Sequence, residues 1–252
     1  MPWRERLAAN LGLLWHELPL LERIEQAGAA GFRAVELHAP DVSAPEVRVA
    51  CDDAGVRLLG VNTRSAIAAE RAASARFKEE FAALLDWCFA AGASAIHILA
   101  GQRGDGEAVF LDHVGWAADL AGPSGVGILL EPLNRHDRPG WYYHLPAKCA
   151  AVLRQLNRAN VGMQFDAYHV GREGLDACAQ LDAHLPWIHH VQIAAVPDRG
   201  EPDQGTMDYA RLLKHLIESS YAGWIGCEYV PRSTMREGLG WIDRLDERLQ
   251  TR

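Results

Sequence analysis

Paired cysteines, long apolar runs and an excess of basic charge are all missing from this chain, and each absence removes a class of protein. The five cysteines (Cys51, Cys88, Cys149, Cys178 and Cys227) are odd in number and scattered, with no CxxC pair. Neither a disulfide framework nor a zinc knuckle is expected, and the pattern reads as reduced, mostly buried thiols of a cytoplasmic protein. The opening MPWRERLAAN has no apolar h-region, and no run approaches the ~18 apolar residues of a spanning helix, so no membrane partner is expected. Basic residues number 25 against 33 acidic, a formal charge of −8. That balance argues against nucleic acid, whose phosphates are held mainly by Lys and Arg. Neither GxGxxG nor GxxxxGKS/T occurs, which removes the usual nucleotide turns.

What the chain does have is alternation. Short apolar runs stand at NLGLLW (10–15), AVELHA (34–39), RLLGVNT (57–63), AIHILAG (95–101), GILLEPL (127–133), VGMQFDAY (161–168), IHHVQIAA (188–195) and WIGCEYV (224–230). Each is nearly continuously apolar, as strands buried on both faces of a parallel sheet must be. Helical stretches lie between them. LPLLERIEQAGAAG and ARFKEEFAALLDWCFAAGA end on glycines suited to a C-cap. DYARLLKHLIESSYAG places Leu212, Leu213, Leu216 and Ile217 on one face. Eight strands, eight helical segments and 252 residues, with no Pro/Gly/Ser-rich linker, predict an α/β fold: one (β/α)8 TIM barrel domain over 1–252.

Barrel enzymes carry their chemistry at the C-terminal ends of the strands. Glu131, Asp166, Gln192 and Glu228 fall at or near the ends of the last four predicted strands, separated by 35, 26 and 36 residues. Adjacent staves lie about 4.8 Å apart, so four inward side chains at one height can converge. Taken singly, a strand-end carboxylate can be a surface group or, for Asp166, a helix cap. Taken together, three carboxylates in one mouth repel unless a cation holds them. An all-oxygen donor set favours Mg²⁺ or Mn²⁺ over zinc. Nearby, His169 either reaches a substrate oxygen or is a core histidine bonded to a carbonyl. Arg199 and Glu201 share the polar loop VPDRGEPDQG, where an arginine fork suits a substrate carboxylate. Asn134 holds either a loop or a hydroxyl. His189 and His190 alternate, so at most one should face the interior. Glu36, at the end of the second strand, is a weaker candidate.

The stretches EPLNRHDRPGWY (131–142), QFDAYH (164–169), HVQIAAVPDRGEPDQG (190–205) and GWIGCEYVPR (223–232) resemble the hydroxypyruvate isomerase family. That family includes the related 2-oxo-tetronate isomerases and lies within the xylose-isomerase-like TIM barrels. LLWHELPLLERIEQAGAAGF and HILAG fit as well, so the likeness covers most of the chain. It implies that Glu131 and Glu228 bind a divalent metal and exchange the substrate proton. Asp166 and Gln192 would complete the metal shell, and His169 and Arg199 would touch substrate. The implied reaction is a metal-dependent 1,2-carbonyl shift on a small hydroxy-keto acid or ketose, through an enediolate. A homo-oligomer is compatible with barrels of this type. Departures fall on the pocket wall: Ala195 where the family usually has Asp, Gly171 where it has Gln, a missing glutamate near Thr206, and a short loop at 62–74. Three rivals share the barrel: an epimerase on the same site, a non-catalytic metabolite-binding barrel, and a metal-dependent endonuclease.

Overall fold

Seven of the eight apolar runs contribute a strand, most with shorter bounds than their composition suggests. In the computed structural model, which describes residues 3–251, the strands are β1 Leu7–Asn10, β2 Ala34–Leu37, β3 Arg57–Asn62, β4 Ala95–His97, β5 Gly127–Leu130, β6 Val161–Asp166, β7 Ile188–Ile193 and β8 Ile225–Cys227. All pair in parallel in chain order, and β8 returns to β1 to close the barrel. Pro132 lacks an N–H to extend the ladder, consistent with β5 stopping at Leu130 and releasing Glu131 at the rim.

Two sequence expectations are corrected. The first strand is Leu7–Asn10, not 10–15: the alanine-rich LAAN pairs with β2 and β8, whereas the more apolar LGLLW folds into turns on Asn10. Asn10 makes those turns itself, accepting from Gly12 N–H through its side chain and from Leu13 and Leu14 N–H through its carbonyl. In the helix Tyr209–Glu218, Leu212, Leu213 and Leu216 are buried but Ile217 is 50 % exposed, so it lies off the apolar face. The glycine stop after the helix Ser74–Ala91 is as expected, with Gly92 left-handed at φ 78°.

Alternation divides the strand side chains between two environments. Outward residues such as Val35, Ile96, Ile128, Phe165 and Val191 pack under the helices in the main core. The barrel interior is different. TIM barrels ordinarily fill it with layers of bulky branched residues, but here the apolar filling is Ala8, Ala34 and Leu59, with Trp224 against them. Leu59 and Trp224 border a cavity of about 290 Å³ that also has Glu36, His97, Gln164, His190 and Gln192 on its wall. Register shifts on β3 and β7 add Leu59 and His189 to that wall. Strict alternation of His189 and His190 is thereby broken: His190 is buried inside, while the His189 ring fills the space beside Gly162 at the N-terminal mouth. Among the described residues no helix is long and apolar enough to cross a membrane, and all five cysteines are free and buried.

Candidate active site

The C-terminal mouth holds a cavity of about 670 Å³ lined by Glu131, His169, Arg199 and Glu228 together with His38 and His97. β5 and β6 deliver its centre. Glu131 follows the last residue of β5, and Asp166 ends β6, where it also caps the short helix Ala167–Arg172 by accepting from Tyr168 N–H at 2.8 Å. The capping role and the site role therefore coexist. That helical turn carries His169 back over the site, with Nε2 at 3.6 Å from Asp166 and 3.9 Å from Glu131. Gln192 stands directly opposite Asp166 across the β6–β7 pair.

Five buried side-chain atoms of the site have no hydrogen-bond partner: Glu131 Oε1, Asp166 Oδ2, His169 Nε2, Gln192 Oε1 and Arg199 Nε. Such atoms are rare in folded proteins and costly unless something satisfies them. Glu131, Asp166 and His169 each offer a ligand atom within 4.8 Å of the others. The three oxygens, from Glu131, Asp166 and Gln192, suit a hard divalent cation. His169 Nδ1, by contrast, accepts the Asn134 backbone N–H, so its Nε2 carries the ring proton and faces the site as a hydrogen-bond donor.

Glu228, on the opposite side, is bound differently. Its Oε2 lies 3.1 Å from Arg199 and its Oε1 3.7 Å from His38. Burial pushes its carboxyl up, but Arg199 and His38 overcome that and hold it down at about 2. Glu131 is driven the other way, well above the carboxylate range, by burial and by the charges of Glu228 and Asp166. Burial likewise lifts Asp166 to about 7 against the opposing pull of Arg199. The His169 imidazole is held neutral, down at about 3, by burial and the Arg199 charge.

Arg199 is the pivot of this field. It contacts Asp166 at 3.7 Å as well as Glu228, and its guanidinium lies 5.0 Å above the Tyr168 ring. Its backbone is left-handed (φ 59°), which a side-chain-bearing residue keeps only when its surroundings enforce it. Here Arg199 N–H donates to Ala195 O, and Val230 N–H donates to Arg199 O.

Two expected substrate contacts are placed elsewhere. Glu201 is buried against Arg232, accepting from its backbone N–H and from its guanidinium at 2.7 Å, while the same guanidinium grips Asp198. It braces the loop instead of facing the cavity. Exchanging Arg232 for Met strands that carboxylate, with an expected cost of about 1–3 kcal/mol. Thermal unfolding reads the loss, and amide exchange across 196–205 should accelerate; an unaltered melting temperature would refute the bracing role. Asn134 is fully buried and turned to His169, whose Nδ1 meets both its backbone N–H and its side-chain amide. It orients the imidazole so that Nε2 faces the acids.

His38 and His97 also belong to the site, though no motif in the sequence marks them. His97 ends β4, with Nδ1 3.1 Å from Asn62 Oδ1 and Nε2 3.5 Å from Glu131. The available signal was parity: His38 sits two residues beyond Glu36 and so shares its face. At Gly171, a departure from the family pattern, a Cβ would meet the tip of Met207 at 2.4 Å and Val196 Cγ2 at 2.8 Å, so a larger residue requires those side chains to move.

A closed eight-stranded parallel barrel with its buried carboxylates gathered at the C-terminal ends of the strands defines a class, the TIM barrels. The chain belongs to the xylose isomerase-like TIM-barrel family, whose model matches residues 24–245, and within it to the hydroxypyruvate isomerase and 2-oxo-tetronate isomerase group. It is 34 % identical to the 2-oxo-tetronate isomerase of Cupriavidus necator, over 94 % of this chain and 97 % of that one. Against the hydroxypyruvate isomerase of Escherichia coli it is 30 % identical, over 94 % and 98 %. A solved structure named as an AP endonuclease, family 2, from Brucella melitensis superposes with a TM-score of 0.90 at 30 % identity, covering 95 % and 98 %.

Proposed function

We propose that the protein is a divalent-metal-dependent isomerase that moves a carbonyl between adjacent carbons of a small hydroxy-keto acid or ketose. The observation that carries this is the set of three partnerless buried oxygens, Glu131 Oε1, Asp166 Oδ2 and Gln192 Oε1, beside a glutamate held ionised by Arg199. Glu131, Asp166 and Gln192 would hold the ion, with Glu228 completing the shell from the far side and His169 Nε2 close at hand. Bound there, Mg²⁺ or Mn²⁺ supplies Lewis acidity toward the substrate carbonyl.

The chain's own groups do the proton work. Glu228 takes the proton from the carbon bearing the hydroxyl, and Glu131, across the mouth, returns one to the neighbouring carbon. The hydroxyl proton passes to the former carbonyl oxygen, so the substrate is isomerised with no net gain or loss of protons. His169, kept neutral and aimed by Asn134, offers Nε2 to a substrate oxygen. Arg199 answers the carboxylate of a hydroxy-keto acid. Return of the proton to the other face of the same carbon would give epimerisation, so product identity separates those two. A non-catalytic barrel has no use for two opposed glutamates. A DNA-cleaving reading finds a net charge of −8 and a carboxylate-rich site against it.

The test is a panel of small hydroxy-keto acids and ketoses incubated with the protein and Mg²⁺ in D₂O and followed by proton NMR. Interconversion with deuterium incorporation is expected for at least one C3–C6 compound. Ligand-induced thermal stabilisation without turnover across the panel would instead favour a binding barrel.

Metal uptake should also depend on pH. In the metal-free chain Asp166 binds a proton below about pH 7, well above the ordinary carboxylate range, and Glu131 is raised as well. A cation must displace those protons, so uptake weakens as pH falls, by about tenfold per unit for each proton released. Calorimetry of Mn²⁺ binding near pH 6, in buffers of different ionisation heat, should register the release. An affinity that stays flat from about pH 5.5 to 7 would rule out this coupling.

A further inference from the structure

The geometry points to Glu36 as the residue that decides which way round the Gln192 amide stands, and we propose it as a positioning residue for the metal site. This rests on the reading of Gln192 as a cation ligand. A glutamine amide has a donor end and an acceptor end, and only the oxygen end can ligate a divalent cation. Gln192 Nε2 donates to Glu36 Oε2 at 2.6 Å, which leaves Oε1 turned away, buried and without a partner. Reversing the amide would set two oxygens against each other in a buried space.

Glu36 is itself held. Its Oε1 accepts from His190 Nε2 at 2.6 Å, and its Oε2 accepts from Asn10 Nδ2 at 3.2 Å as well as from Gln192. All four side chains are buried. The eighth strand makes room for the assembly: a Cβ on Gly226 would come within 2.1 Å of Glu36 Oε1 and 2.8 Å of Gln192 Cγ. β2 therefore contributes no ligand yet fixes a donor on β7, with glycine required on β8 between them.

The experiment is Mn²⁺ titration of the intact chain at one pH, with free Mn²⁺ read by electron paramagnetic resonance and metal-free melting recorded alongside. Glu36→Met removes the acceptor and should weaken Mn²⁺ binding by about 10- to 100-fold, the range seen when outer partners of metal ligands are lost. Gly226→Ala, whose Cβ displaces the Glu36 carboxylate and also presses on Gln192 Cγ, should produce a comparable loss. Glu36→Gln should restore binding to within about threefold, because its carbonyl can still accept from Gln192 while His190 adopts its other tautomer. Added to Gln192→Met, where no amide remains to orient, Glu36→Met should cost nothing further.

Parent-like Mn²⁺ affinity in folded Glu36→Met or Gly226→Ala, or losses that simply add in the double variant, would overturn the assignment. If Asp166→Asn abolishes uptake while these changes do not, only the role of Glu36 falls. A parent chain that takes up no Mn²⁺ would remove the ligand reading itself, and this inference with it.

Discussion

Glu228→Gln is expected to leave the barrel folded and to lower both interconversion and deuterium incorporation by about 10²- to 10⁴-fold, the usual contribution of a positioned general base. The amide matches the carboxylate in shape, so packing at the end of β8 is kept. What disappears is the basic oxygen that Arg199 and His38 hold ionised. Because Arg199 keeps its 3.7 Å contact to Asp166, the guanidinium retains an anionic neighbour and the loop after β7 has no reason to move. Solvent-exchange NMR on the substrate is the direct readout. Exchange persisting at the parent rate in a folded Glu228→Gln protein would take this residue out of the proton transfer.

The second large effect is one of stability. Asp166→Asn should melt no lower than the parent in the absence of metal, and should lose all stabilisation by Mn²⁺. Glu131, Asp166 and Glu228 crowd their charges into one buried mouth, which is why burial and mutual repulsion lift Asp166 to about 7 and Glu131 well upward. Neutralising Asp166 relieves that repulsion, and asparagine still accepts from Tyr168 N–H to cap the following turn. In the parent, Mn²⁺ at a hundred times its dissociation constant contributes about 2.7 kcal/mol. For a chain of this size that corresponds to roughly 5–10 °C in melting temperature. Scanning calorimetry with and without Mn²⁺ decides it. A full metal-induced rise in Asp166→Asn would mean that the ion binds elsewhere.

Much of this was legible in the amino acids because parallel strands buried on both faces must be apolar almost throughout. Carboxylates at their ends therefore stand out, and Glu131, Asp166, Gln192 and Glu228 were visible as a set for that reason. Position relative to long-range partners was not legible. Glu201 reads as a polar loop residue until its partner Arg232, 31 residues away, is seen. His189 and His190 obey alternation only until the register slips between Met163 and Gln164. β1 was misplaced because alanine and asparagine carry little strand signal, while the apolar residues beside them form turns. Glu36 shows no role in the sequence alone, since its three hydrogen-bond donors come from β1 and β7.

The most direct test is a crystal of the protein grown with Mn²⁺ and measured at the manganese absorption edge. One anomalous peak is expected at the C-terminal mouth, within bonding distance of oxygens from both Glu131 and Glu228, with Asp166 and Gln192 Oε1 in the same shell. A peak away from these side chains, or none at saturating Mn²⁺, would contradict the account.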